Sequence, residues 1–345
     1  MLLLRLLDST PRLPNPIMSA FSFTAPQFTE QDSAIEWNSL TPEEKQRIEN
    51  ACFGQDDSSS PSVEETPELL ETSLRDMARC LFAIEDKDAY NEALQVVPHL
   101  VQQESPPIRF LRCERFCPDK AAMRLVKYWE MRKAFFEHRA FLPMSLDGAL
   151  LDDIETLNAI PDLYFVTGKD EHGRYILFSN KARADFSRYT RLSVLRVMWY
   201  HMHVISEDVD VQRRGIVGVG HFRTNSPKQF DRVQSKLFLT CIREALPVKF
   251  VCAHICHAPS FFTVIIFPVI RFLMGKHIRL HTRLHNGSEE TVLLELEKYG
   301  IQRHNIFKCM GGTFDMHHVD AWLEERRRLE APPLQSVPGD AMDTD

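Results

Sequence analysis

Residues 250–274 read FVCAHICHAPSFFTVIIFPVIRFLM. Phe250 to Cys256 is a short β-branched and aromatic run, the signature of a buried strand. Pro259 to Met274 is too long for a strand and reads as a helix. Its apolar residues include Phe261, Phe262, Val264, Ile265, Ile266, Phe267, Val269, Ile270, Phe272 and Leu273, and they cover every face. A helix apolar all round is either buried on all sides or faces something greasy. It is therefore a central core helix, or a lid over an apolar cavity that can swing toward a membrane. Pro268 is expected to kink or hinge it. The apolar run Ala258 to Met274 holds Pro268 and Arg271 and falls short of a membrane span.

Around this stretch, strand and helix patterns alternate. Tyr164 to Val166 and Tyr175 to Phe178 flank the polar turn Lys169 to Gly173, which predicts a hairpin. Helices are expected over Arg191 to Val204, Pro227 to Leu246 and Ser288 to Tyr299, with strands over Arg214 to Val219 and Ile278 to Leu284. Such alternation means an α/β fold, a sheet covered by helices. Cations follow the apolar helix: Arg271, Lys276, Arg279 and Arg283. They form a solvated basic face, or a contact to anionic lipid beside the lid.

The chain has 345 residues, 44% hydrophobic and 26% charged, which excludes fibrous and wholly disordered classes. Its net charge of -7 is unevenly spread. Residues 26–104 carry a net -13 and residues 105–330 a net +8. The acidic front reads as a largely disordered arm over 1–68 with a short helix at 41–52. The helix start is Thr41-Pro42-Glu43-Glu44. Gln55 to Glu71 reads as a linker. Met1 to Leu7 is apolar, but too short and too interrupted for a signal peptide or span; a targeting role is the alternative. Eight cysteines without framework spacing read as reduced thiols of a cytoplasmic protein.

Catalytic patterns are largely missing, so no enzyme and no cofactor are expected. Gly215-Ile-Val-Gly-Val-Gly220 has the wrong glycine spacing for a dinucleotide site and reads as a strand. Cys252, His254 and Cys256 alternate and would share one strand face, yet match no closed zinc motif, so no metal is expected. Basic and aromatic residues interleave over Arg183 to Arg191 without a nucleic-acid motif, and no nucleic-acid partner is expected.

Several segments in order resemble one family. Phe110-Leu-Arg-Cys-Glu-Arg-Phe116 with Trp129-Glu-Met-Arg132 resembles the N-terminal helical motif of the CRAL-TRIO (Sec14-like) family. Asp170-Glu-His-Gly-Arg-Tyr-Ile-Leu-Phe178 resembles its first hairpin. Leu246-Pro-Val-Lys-Phe250 and Ala258-Pro-Ser-Phe-Phe262 resemble the strand and turn leading into its mobile gate helix. Met310-Gly-Gly312 stands at its closing Tyr-Gly-Gly. The resemblance covers about residues 70–315.

It implies a small helical lobe at 69–142 and a lipid-binding lobe at 150–315, followed by a C-terminal helix and tail at 316–345. The second lobe holds a mixed, mainly parallel sheet whose flanking helices enclose a hydrophobic pocket. The implied role is to bind one phospholipid, isoprenoid or similar lipophile under a gate helix and exchange or present it at membranes. The alternative is a non-transferring adaptor on the same fold, and protein partners are left open. The expected location is cytoplasmic and peripheral to a membrane.

Pocket candidates are Ile176, Phe178, Val217, Val219, His254 and Cys256 on the strands. The gate adds Phe261, Phe262, Ile265, Phe267 and Ile270. A one-residue shift of phase would invert the strand set. Family members that bind phosphatidylinositol carry Glu where this chain has Val248, and a headgroup cation where it has Leu280. The resemblance therefore does not carry that lipid over as cargo. Lys276, Arg279 and Arg283 still allow a basic contact to a membrane, phosphoinositide-containing membranes included.

Overall fold

The computed structural model describes residues 26–55, 64–160, 163–180, 185, 187–223 and 230–331. The apolar Met1 to Leu7, residues 56–63 of the expected linker, the start of the helix expected from Pro227 and the tail beyond Ala331 lie outside them. Two helices open the described chain, α1 (Glu30–Asn38) and α2 (Pro42–Cys52). Each starts on a threonine, Thr29 or Thr41, that closes a capping box with Asp32 or Glu44. α1 is a helix additional to the one expected at 41–52 within the arm of residues 1–68. It buries no side chain, so no apolar stripe betrays it.

Five helices form the next layer: α3 (Pro67–Ala83), α4 (Asp88–Val96), α5 (Pro98–Glu104), α6 (Pro107–Cys113) and α7 (Pro118–Phe136). Proline opens α3, α5, α6 and α7, where its missing N–H costs nothing. α7 is the spine of this lobe, burying Leu125, Tyr128, Trp129, Phe135 and Phe136. The Trp129 indole donates to Ser105 Oγ at 3.0 Å.

Beyond α8 (Ile154–Ala159) the chain enters the sheet. β1 (Tyr164–Lys169) and β2 (Tyr175–Asn180) form the expected hairpin and pair antiparallel. Then come α9 (Arg191–Ser206), α10 (Val209–Arg214), β3 (Ile216–His221), α11 (Arg232–Thr240) and β4 (Phe250–Cys256). A π-turn at Phe262–Ile266 leads into α12 (Phe267–Leu280), followed by β5 (Thr282–His285). The order is β1-β2-β3-β4-β5, and β2 to β5 run parallel. This is the mixed, mainly parallel sheet that the sequence implied. Helices α13 (Glu289–Lys298) and α14 (Met316–Glu330) complete the described chain. No helix among the described residues is long and apolar enough to cross a membrane.

The hairpin turn also anchors α2. Arg174 donates to Asp170 Oδ2 at 2.6 Å, to the Ala51 and Cys52 carbonyls at 2.9 and 3.0 Å, and to the Tyr299 carbonyl at 2.9 Å. The last carbonyls of α2 thus end on a buried ion pair, which satisfies groups that a helix C-terminus leaves open.

Candidate functional site

The sheet has two unlike faces. On one, Leu177, Gly218 and Ala253 stand side by side on β2, β3 and β4, followed by Ser179, Gly220 and Ile255. These six residues floor a cavity of about 140 Å³. Ser235, Phe238 and Leu239 of α11 wall it. Phe262, Ile266, Ile270, Met274 and Ile278 roof it. Three floor positions are glycine or alanine, and that is what leaves room. A Cβ on Gly218 would lie 2.8 Å from the Phe250 ring, and one on Gly220 would lie 2.5 Å from the Phe222 ring.

The opposite face is packed solid. Phe178 meets Phe307 with ring centroids 4.8 Å apart, and His254 meets Tyr299 at 4.7 Å. His254 Nδ1 lies 3.0 Å from His285 Nε2. The strand candidates Ile176, Phe178, Val217 and Cys256 are not among the residues that line this cavity, whose floor comes mostly from the alternate phase of the strands. Val219 and His254 border it from the same opposite phase. The physical reason is volume. Large side chains fill the solid layer, and small ones face the space. The Val-Gly-Val-Gly alternation of residues 217–220 carries that signal, since the glycines mark the face with room.

The gate candidates divide. Phe262 and Ile270 face the cavity. Ile265 is 50% exposed, with Val264 at 73% and Phe272 at 47% beside it on the outer surface. Phe261 is half-buried at the edge of the same cluster. Phe267 is buried, but borders a second cavity of about 340 Å³ that Arg271, Arg279, Glu36 and Trp37 also line. Ile266, Met274 and Ile278 belong to the roof and were not in the expected set.

The breaks in this helix also differ from expectation. Pro268 sits in the first turn of α12 immediately after the π-turn, whose wider winding accommodates a residue without an N–H. The sharp break falls at Gly275, with φ 72° and ψ 164°, a conformation that glycine adopts without strain. The roof segment Phe267 to Met274 is thus bracketed by two irregular joints.

The basic face is only partly open. Lys276 is exposed. Arg279 donates from Nε and Nη2 to both carboxylate oxygens of Glu36, each at 2.8 Å. Arg283 donates to Glu49 at 2.9 Å and Arg271 to Glu30 at 3.3 Å. Those acids belong to α1 and α2, and their positions 234 to 243 residues away in sequence hid the pairing.

For metals, burial raises the Cys252 and Cys256 thiols above their ordinary range, so neither is a ready thiolate. The Cys252 thiol pairs instead with Cys52. Asp315, His317 and His318 bring one ligand-type atom each within 4.8 Å at the start of α14. None of the three lines the cavity, and Lys308 is already paired to Asp315.

Comparison with known proteins adds the following. Residues 162–312 match the CRAL/TRIO domain. Clavesin-1 of Xenopus laevis is 24% identical over 194 residues, which is 54% of this chain and 56% of that protein. Clavesin-2 of Homo sapiens is 26% identical over 188 residues, 52% of this chain and 54% of that protein. The chain thus spans about half the length of the curated relatives it matches. The crystal structure of Sfh5 superposes with a TM-score of 0.42 at 9% identity, over 70% of this chain and 99% of that one.

Proposed function

We infer, for a chain that belongs to the CRAL/TRIO family through residues 162–312, that it binds a single lipophile in the cavity under α12 and exchanges or presents it at a membrane surface. One observation carries this reading. The helix that roofs the apolar cavity with Ile266, Ile270 and Met274 also turns Val264, Ile265 and Phe272 to solvent. Exposed large apolar residues on the lid of an apolar cavity suit a surface that meets lipid on both sides. Lys276 adds a cation beside them.

The closed cavity is small. At about 140 Å³ it resembles an engineered apolar cavity of roughly 150 Å³ that takes one benzene. Entry of a long chain therefore requires the roof to lift, and the π-turn and Gly275 are the joints available for that. Native mass spectrometry of the purified full chain tests the reading. A stoichiometric hydrophobic adduct, before or after exposure to mixed liposomes, is the expected result. A chain that stays empty under both conditions would sink it.

The floor gives a sharper test. A valine at Gly218 places new atoms on the cavity floor against the Phe250 ring, which lines the same cavity and must shift. Gly218→Val is expected to lose the adduct while the protein keeps its circular dichroism and its cooperative unfolding. An unchanged adduct would remove this face from the site. The small closed volume also favours a second reading, an adaptor that keeps the fold and docks on membranes without cargo. Its mark would be liposome binding by a chain that takes up no lipid.

A further inference from the structure

The face beside the gate is covered by the chain's own acids, and the cover is held unevenly. α2 is fixed. It buries Ile48 and Cys52, Arg174 holds its last carbonyls, and Phe53 stacks on Tyr299 with centroids 4.4 Å apart. α1 is not. None of its side chains is buried, and Ile35 is 62% exposed. The helix is held by the Glu36–Arg279 and Glu30–Arg271 ion pairs, the Phe28 ring 3.6 Å from the Arg279 guanidinium, the half-buried Trp37 at the edge of the second cavity, and one backbone hydrogen bond. In that bond the Phe28 N–H donates to the Pro268 carbonyl of α12 at 2.9 Å.

We propose that α1 is a displaceable strap whose Glu30 and Glu36 occupy an anion-docking face formed by Arg271 and Arg279, and that an anionic membrane surface docks there by displacing it. Three observations support this. The carboxylates meet the guanidiniums one for one, as lipid phosphates or carboxylates would. The strap satisfies the face incompletely, because Arg271 Nη1 is buried without a hydrogen-bond partner. α1 buries no side chain outright, and charge dominates its hold: Glu30 of the Arg271 pair is exposed and open to competing anions, while the Arg279–Glu36 pair is largely covered and gives way only when an anion takes the place of Glu36. Arg283 stays with Glu49 on the fixed helix, so Arg271 and Arg279 are the guanidiniums released, with Lys276 exposed nearby. The same displacement breaks the Phe28 bond to Pro268 and frees the roof helix. That last consequence rests on the gate reading above, and the docking face does not.

The test is flotation of the full chain with vesicles of phosphatidylcholine and phosphatidylserine at four to one. The double variant Glu30→Gln with Glu36→Gln is expected to bind about tenfold more tightly than the parent, the scale of two ion pairs of which one is exposed on its acid side and one is largely covered. Adding Arg271→Gln and Arg279→Gln is expected to abolish the gain. Hydrogen exchange on the parent protein gives a second readout. Vesicles are expected to speed exchange over residues 30–38 and leave residues 42–52 protected. No gain in the Gln variant, or unchanged exchange over 30–38 in vesicle-bound protein, would overturn the strap. Faster exchange with inorganic phosphate but not with vesicles would overturn the membrane as its competitor. A strap variant that binds vesicles tightly yet carries no adduct supports the strap and sinks the cargo reading instead.

Discussion

Lowering the pH from 7 to 5 is expected to cost this protein most of its stability. The cause is a set of buried histidines. Burial depresses His201, His221 and His285 to about 4 and His281 to about 3. It holds His203 and His254 well below the ordinary value. All six are under 9% exposed. The folded protein therefore keeps them neutral, while the unfolded chain protonates them near pH 6.5. The unfolded state binds more protons, so stability rises with pH across the window between those values. Above about pH 7 both states are neutral and the contribution is complete; it is lost as pH falls from 6.5 toward 4. Each such group contributes up to about 1.4 kcal/mol per pH unit in that window. Four of them reach roughly 5 kcal/mol per unit, comparable with the whole stability of a domain. Urea midpoints at pH 7.5, 6.5, 5.5 and 4.5 would show it. A midpoint unchanged between pH 7 and 5 would mean that these rings open to water far more readily than their burial implies. His201→Phe should flatten the slope by about one proton.

Removing the Glu104 carboxylate is the second large effect. Arg132 on α7 is fully buried, with its guanidinium 4.8 Å from the Trp129 ring centroid. It donates to the Ala140 and Leu142 carbonyls, each at 2.8 Å, and to Tyr128 Oη at 3.0 Å. Glu104 is its counter-charge and also accepts the Met144 N–H at 2.7 Å. Glu104→Ala leaves a buried cation without an anion, and breaking such a pair from one side costs about 3–5 kcal/mol. Glu104→Gln keeps hydrogen-bonding capacity and should cost less. A loss below about 1 kcal/mol in Glu104→Ala, measured by urea unfolding at pH 7.5, would mean that water enters the pair.

Much of this architecture was legible in the residues. Threonine caps, opening prolines and period-two runs marked the hairpin and most helices of the second lobe within a few residues. The apolar run over 258–274 marked the roof because no ordinary surface helix is greasy on every side. The register on β3 was harder. Alternation states that neighbouring side chains face opposite ways, but it does not say which way is inward. The glycines at 218 and 220 are the residues that carry the phase, because the face with room takes the small side chains. α1 left only its Thr29-x-x-Asp32 capping box in the sequence, because it buries no side chain outright and so shows no apolar stripe.

The sequence by itself determined the element order, the acidic front against a basic body, the apolar roof helix and the family likeness. Each is a local or compositional property, written in consecutive residues. The tertiary structure alone decided which sheet face holds the cavity. It moved the sharp break from Pro268 to Gly275. It also revealed that Arg271, Arg279 and Arg283 are met by Glu30, Glu36 and Glu49. Those outcomes depend on which residues share a volume or a charge across more than two hundred positions of chain. Only packing brings such groups together, and no pattern along the chain encodes it.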